Sequence, residues 1–167
     1  MNLNYRVTRS LHQEHETTLI LIGKLATLLN RTKASETPSV SEPALFDVLS
    51  GLRIALDAEL EAHFAFEEKE LFPLLEAEGE SELGDLLIEE HKEIFPVRQQ
   101  MKALVGDALT NGFQGETWSN FHRLGLEFVQ RLTGHVDKEE MGLIPALEDI
   151  LSDEDDQKIA DSYDLQP

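Results

Sequence analysis

The sequence predicts an all-α protein: an up-down-up-down four-helix bundle with a pseudo-two-fold helical-hairpin repeat and a short C-terminal helix. Apolar residues recur every three or four positions through four long segments, which is the period of a helix with one buried face. No segment shows the alternation typical of strands, and the second segment repeats in the fourth. With 167 residues and 41% hydrophobic content, the chain is expected to form a single domain over residues 1–167.

The first helix is expected from about residue 5 to residue 30. Its inner positions follow a 4-3-4-3-4 spacing and are Leu11, His15, Thr18, Ile22, Leu25 and Leu29. A histidine therefore occupies a core position. Residues 31–43 are rich in Ser, Thr and Pro and lack an apolar period, so they are expected to form a linker.

The second and third helices are expected over residues 44–75 and 81–109. Gly79 follows the second helix, and Ser81 suits the N-cap of the third. The inner positions of the third helix are Leu87, His91, Ile94, Met101 and Val105. Pro96 lacks a backbone donor, so a kink or a break is expected near Phe95.

The fourth helix is expected from residue 116 to about residue 144. Pro73 and Pro145 occupy equivalent places in the second and fourth helices and predict equivalent kinks or ends. The acidic tail, residues 152–167, is expected to begin a short helix that Ser152 caps.

The repeat places ligand-type residues on the inner face of two helices. HFAFEEKELFPLLE, which begins at His63, recurs 72 residues later as HVDKEEMGLIPALE, which begins at His135. In both segments a glutamate, Glu67 or Glu139, follows the histidine by four residues, about 6 Å along the helix axis and 40° around it. Burying an imidazole and a carboxylate is costly unless they are paired or coordinate a metal. A metal ion is the partner that both helices would share.

Each of the four helices contributes one inward histidine, because His15 and His91 also lie on inner faces. The candidate metal ligands are His15, His63, Glu67, His91, His135 and Glu139. Six ligands exceed one tetrahedral site, so we expect two metals about 3.5 Å apart, each with two histidines and bridged by both carboxylates. A solvent-derived oxo or hydroxo bridge leaves up to one octahedral position on each metal for a small ligand such as O2 or NO. The ligands suit two Fe ions, with Zn or Mn as substitutes.

Other polar residues near the site are assigned less direct roles. Glu68 and Glu140 lie about 100° from the inner stripe, which favours solvated residues or hydrogen-bond partners of the ligands over ligands. His12 is expected to be exposed, with a supporting role as the alternative, and His122 is expected to face solvent. Four phenylalanines are interpreted as core residues, with the wall of a dry ligand pocket as the alternative: Phe64, Phe66, Phe95 and Phe128.

Composition excludes several classes of protein. A net charge of −19 argues against nucleic acid and anionic lipid as partners. The absence of cysteine excludes disulfides, Zn–thiolate sites and iron–sulfur clusters. The start MNLNYRVTRSLHQEH lacks an apolar core, and no uncharged stretch approaches the roughly 18 residues of a membrane span, so a cytoplasmic location is expected. The alternatives left open for a protein partner are a second copy of the chain, as a homodimer, and an unknown protein.

The order of these residues, with the LFP and LIP tails, resembles the hemerythrin-like (HHE cation-binding) family over about residues 5–150. The resemblance implies that His15 and His63 bind one iron, that His91 and His135 bind the other, and that both glutamates bridge. Oxygen-carrying members have a further histidine one turn from His91, where this chain has Leu87 or Phe95. Their counterpart of Glu139 is an aspartate that lies one position further along, five residues after the histidine of the fourth helix. These departures disfavour reversible O2 transport.

The expected function is that of a non-haem di-iron protein that binds or senses O2, NO or a related small oxidant. The alternatives are a peroxidase or NO-reducing enzyme, an iron–sulfur repair enzyme, and an iron store or metal-responsive interaction module. No separate general acid or base is apparent, which ranks an enzyme below a binding protein. Relatives that repair iron–sulfur clusters carry an N-terminal segment with a cysteine, and this sequence has no cysteine.

Overall fold

A computed structural model describes residues 3–163 and residue 165, and all regular secondary structure within that part is helical. The first helix is α1 (Arg6–Arg31) and the third is α5 (Ser81–Asn111). The second helical run, residues 43–77, contains α2 (Pro43–Ile54), α3 (Leu60–Phe66) and α4 (Phe72–Ala77). The fourth, residues 115–150, contains α6 (Gly115–Lys138) and α7 (Ile144–Ile150), and α8 (Asp153–Ser162) follows it.

Three π-helical turns lie within these runs: π1 (Ala55–Glu59), π2 (Glu67–Leu71) and π3 (Glu139–Leu143). Turns π2 and π3 begin at the repeated glutamates, and in each the following backbone N–H bonds to the glutamate carbonyl five residues earlier. Pro73 and Pro145 come just after them. A proline has no N–H and crowds the carbonyl four residues before it, which a wider turn relieves. The predicted kinks or ends at these prolines are thus π turns inside continuous helical runs.

Other predicted boundaries agree to within about two residues, with three differences. The fourth run continues to Ile150, past the end predicted near residue 144. Helix α5 continues through Pro96, so the break predicted near Phe95 is absent from it. Ser81 is the first residue of α5, and Glu80 takes the N-cap position predicted for it. The predicted cap of α8 is confirmed, because the Ser152 hydroxyl accepts a hydrogen bond from the Asp155 N–H at 3.1 Å. Residues 1, 2, 164, 166 and 167, which belong to the predicted domain and acidic tail, lie outside the described residues.

The helices form a bundle in which α1 packs against α2 and α6, and α5 packs against the same two. Two hydrophobic clusters fill it. The first includes Ile22, Leu60, Ile94 and Leu132. The second includes Leu11, Leu71, Leu87 and Leu143. On each of the four helical runs the candidate ligands lie between a residue of one cluster and a residue of the other, so the site is a polar layer between two apolar cores.

Within the described part of the chain, none of the helices combines the length and the apolar character needed to cross a membrane.

Candidate metal centre

The structure brings all six predicted residues together in the polar layer. Two groups of four are close enough to hold a metal ion, with ligand atoms within 4.8 Å of one another. One group contains His15 and His63, the other contains His91 and His135, and both contain Glu67 and Glu139. Five of the six side chains are buried, and the His63 side chain is 10% exposed.

Each glutamate presents one oxygen to each pair of histidines. Glu67 Oε1 lies 3.3 Å from His63 Nε2, and Glu67 Oε2 lies 3.4 Å from His91 Nε2. Glu139 Oε2 lies 3.1 Å from His15 Nε2, and Glu139 Oε1 lies 2.9 Å from His135 Nε2. Neighbouring donors around one cation are about 3 Å apart when each bond is about 2.1 Å. The arrangement therefore fits two cations that share both carboxylates.

The buried ligand atoms lack hydrogen-bond partners among the described residues. This holds for both carboxylate oxygens of Glu67, both of Glu139, and His15 Nε2. An ionised carboxylate buried in this way costs several kcal/mol unless a cation compensates it. The Nε2 atoms of His91 and His135 also lie only 3.0 Å apart. Both observations indicate that the layer is built around positive charge.

The outward nitrogen of every histidine meets a different carboxylate. Nδ1 lies 2.6 Å from Glu140 in His15, 2.9 Å from Glu14 in His63, 2.7 Å from Glu68 in His91 and 3.0 Å from Glu90 in His135. A neutral imidazole that donates its Nδ1 hydrogen to a carboxylate turns its Nε2 lone pair inward. All four rings are thus oriented as ligands.

These four carboxylates follow the same pseudo-symmetry as the ligands. Glu68 and Glu140 directly follow the repeated glutamates, and each is hydrogen-bonded to a candidate ligand histidine, as one of the predicted alternatives has it. Glu14 and Glu90 precede His15 and His91 in sequence but serve the histidine of a neighbouring helix. The helical period did not single them out, although the repeated Glu-His pair was a signal.

The charges in the layer reinforce one another. Burial by itself lowers the pKa of His15, but the Glu139 carboxylate, 3.1 Å from its Nε2, raises it above the ordinary value. Burial likewise opposes the charge of Glu67 and the hydrogen bond to Glu14, which together raise the pKa of His63 well above the ordinary value. Burial raises the pKa of Glu139, yet the neighbouring imidazoles of His135 and His15 hold it far below the usual range. Glu139 stays ionised and attracts protons or a metal.

The remaining histidines lie outside the layer. His12 is 38% exposed and its Nδ1 lies 2.8 Å from Glu140, which makes it a support for that carboxylate. The prediction that His122 faces solvent is wrong. Its ring is half-buried, and Nε2 donates a hydrogen bond of 2.9 Å to the Leu29 carbonyl because the face of α6 beside the inner stripe packs on α1.

The phenylalanines divide into different environments. Phe64 is buried and stacks on the His91 ring, with centroids 3.8 Å apart, so it walls the site. Phe128 is a core residue, and Phe66 is partly buried against the second cluster. Phe95 is 47% exposed, so it is neither a core residue nor the wall of a ligand pocket. Its ring lies on the surface of α5, with its centroid 5.9 Å from the guanidinium of the buried Arg98.

Comparison with protein families gives a match to the hemerythrin HHE cation-binding domain over residues 6–147, a range that contains all six candidate ligands. Comparison with curated proteins gives no match.

Proposed function

Because the chain belongs to the hemerythrin HHE cation-binding domain family, we propose that its polar layer holds two iron ions. His15 and His63 would bind one ion, and His91 and His135 the other, with Glu67 and Glu139 shared. One observation carries this assignment: each buried carboxylate directs its two oxygens to different histidine pairs while lacking hydrogen-bond partners among the described residues. Manganese or zinc would fit the same donors, since affinity alone does not select iron.

We further propose that the protein binds or senses O2, NO or a related small oxidant. Each histidine pair with the two shared carboxylates supplies four donors, which leaves room on an octahedral ion for a small molecule. Bound iron would supply reversible redox chemistry and affinity for diatomic ligands. The chain's own contribution is to hold the imidazoles through their Nδ1 partners and to exclude water on one side through Phe64.

The proposal includes the up-down-up-down direction of the four helical runs. The order of the two hydrophobic clusters along the chain supports it. In α1, Leu11 of the second cluster precedes Ile22 of the first, whereas in the second run Leu60 of the first cluster precedes Leu71 of the second. The same alternation recurs in α5 and the fourth run.

Metal analysis and spectroscopy test the proposal. Protein purified from iron-supplemented cells should contain two irons per chain and show the visible absorption of a diferric centre, and this spectrum should change between argon, air and NO. Fewer than one iron per chain would overturn the di-iron assignment. Two zinc or manganese ions per chain would overturn only the choice of iron as the metal. A spectrum that does not change with O2 or NO would favour a storage or structural role.

A further inference from the structure

A cavity of about 500 Å³ lies between α1 and the π1–α3 segment, and we call it the α1–α3 crevice. Its floor is apolar and includes Ile22, Leu56 and Leu132 of the first cluster. Its rim is polar, with Glu14 and Glu59 among its members. An apolar floor with a few polar groups at the rim, at this volume, is typical of sites for small organic molecules.

The pseudo-symmetry of the chain provides an internal comparison. The equivalent crevice between α5 and α6 is lined by Glu90, Glu93, Glu127, Arg131 and Lys138. Apart from Gln130, its lining residues are the equivalents of residues that line the α1–α3 crevice, at offsets of 76 on α5 and 72 on α6.

The two crevices differ in the character of the equivalent side chains. Ala55 stands where the other crevice has Glu127, and Phe66 stands where it has Lys138. Ion pairs cross the α5–α6 crevice, with Arg131 Nη1 2.5 Å from a Glu93 oxygen and Lys138 Nζ 2.7 Å from a Glu90 oxygen. The metal layer is symmetric, so it does not require this difference.

We propose that the α1–α3 crevice binds a small organic molecule with an apolar body and a neutral or cationic polar end. Its volume suits a molecule much larger than the diatomic ligands proposed for iron. The carboxylates of Glu14 and Glu59 line it, and the described lining residues include neither lysine nor arginine. An anionic ligand would meet those carboxylates without a lysine or arginine to compensate them, which disfavours fatty acids and sulfonates.

The crevice is bounded on one side by the candidate metal centre. His63 lines it together with Glu14, which holds the outward nitrogen of that histidine. Tyr163, which follows α8, closes another side, with its ring 4.5 Å from that of Phe66 and its hydroxyl donating to Glu70 at 3.1 Å. An occupant would therefore contact the support of one candidate ligand.

Two dyes with the same ring system test both the site and its charge preference. N-phenyl-1-naphthylamine is neutral, and 8-anilino-1-naphthalenesulfonate adds a sulfonate. Fluorescence titration should show one neutral dye bound per chain and at least tenfold weaker binding of the sulfonate. Ala55→Phe fills the α1–α3 crevice and should weaken the neutral dye at least tenfold, whereas Glu127→Phe, the change at the equivalent position of the α5–α6 crevice, should leave it unchanged.

A second variant tests the charge argument independently of packing. Glu59→Lys puts a cation on the rim, as Arg131 does at the equivalent position of the α5–α6 crevice. This change should strengthen sulfonate binding at least tenfold. Equal affinities of the two dyes for the unaltered protein, or unchanged binding of the neutral dye to a folded Ala55→Phe variant, would overturn the proposal. Metal content is measured on the same samples to keep this result separate from the proposed function. A variant that keeps its metal but no longer binds the dye bears only on the crevice.

Discussion

Each candidate ligand histidine uses both ring nitrogens, one toward the centre of the layer and one toward a carboxylate on its far side. For His91 these contacts are Glu67 at 3.4 Å inward and Glu68 at 2.7 Å outward. A ring held by its Nδ1 hydrogen bond loses little freedom when a metal binds Nε2. The fold itself therefore orients the candidate donors.

Loss of one shared carboxylate should affect both ions. Glu67→Gln keeps the size of the side chain but removes the charge that faces both histidine pairs, so we expect both metals to be lost. Atomic absorption on purified protein measures this. Glu76→Ala, an exposed change in α4, is the control and should retain the metal. Retention of a full metal complement in Glu67→Gln would contradict sharing.

Removal of an outward carboxylate should weaken the metal without abolishing it. Glu90→Ala leaves the Nδ1 hydrogen of His135 unpaired, and losses of such partners typically reduce metal affinity about 10- to 100-fold. Competition with a chelator measures the affinity. Glu89→Ala alters the exposed neighbour, whose partner is Lys92, and should have no effect. Equal affinities in the two variants would show that Glu90 does not support the ligand.

His122 has a structural role separate from the metal. His122→Ala removes its hydrogen bond to the Leu29 carbonyl, so we expect a loss of about 1 kcal/mol in the free energy of unfolding. Metal content should stay the same. Chemical denaturation and metal analysis of the same samples measure both, and a loss of metal would place this histidine in the centre after all.

Helix α1 depends on the C-terminal elements for its N-terminal hydrogen bonds. Its N-cap, Tyr5, makes no side-chain cap bond. Instead Glu148 of α7 accepts from the backbone N–H of Asn4 at 3.0 Å, and Asp156 of α8 accepts from the Val7 N–H at 2.9 Å. Carboxylates at a helix N-terminus accept hydrogen bonds from its free N–H groups and are attracted to the positive end of the helix dipole.

Glu148→Ala should lower the free energy of unfolding by about 1–2 kcal/mol, the usual size of a lost N-terminal cap. Burial raises the pKa of Glu148, but bonds from Thr8 and Asn4 hold it below the ordinary value. Because the pKa is lower in the folded state, this stabilisation is present above the ordinary glutamate pKa and is lost as pH falls. Thermal melts at pH 7 and pH 3 measure it, and the two proteins should differ less at pH 3. Asp149→Asn, at an exposed neighbour, is the control. An equal difference at both pH values would contradict the capping role.

The helical period predicted the length of each run but not its internal turns. Glu67 and Leu71 in π2 are buried, as are Glu139 and Leu143 in π3, so the inner stripe continues through both turns. The prolines at 73 and 145 were the visible signal, and they fit either a helix end or a widened turn. The packing of Leu71 and Leu143 into the second cluster favours the widened turn, in which the helical run continues, over a helix end.

At the scale of the whole molecule, the polar layer separates two apolar cores. Metal that binds only the folded state stabilises it by about 4 kcal/mol at a thousandfold excess over Kd. For a chain of this size, chelation should therefore lower Tm by roughly 10 °C. Calorimetry with and without chelator measures this. Glu67→Gln is the control and should show no shift, and a Tm of the unaltered protein indifferent to chelator would contradict the metal's structural role.

The sequence by itself determined the helical class, the approximate ends of the helices and the six residues that converge. The helical period fixes which residues of one helix share its inner face, and duplicated ligand-type residues on such faces require a common partner. Only the tertiary structure decided that Glu14 and Glu90 hold histidines of neighbouring helices, that His122 is half-buried, and that equivalent crevices differ. These facts depend on how each helix is rotated and placed against its neighbours, which the period of a single helix does not specify.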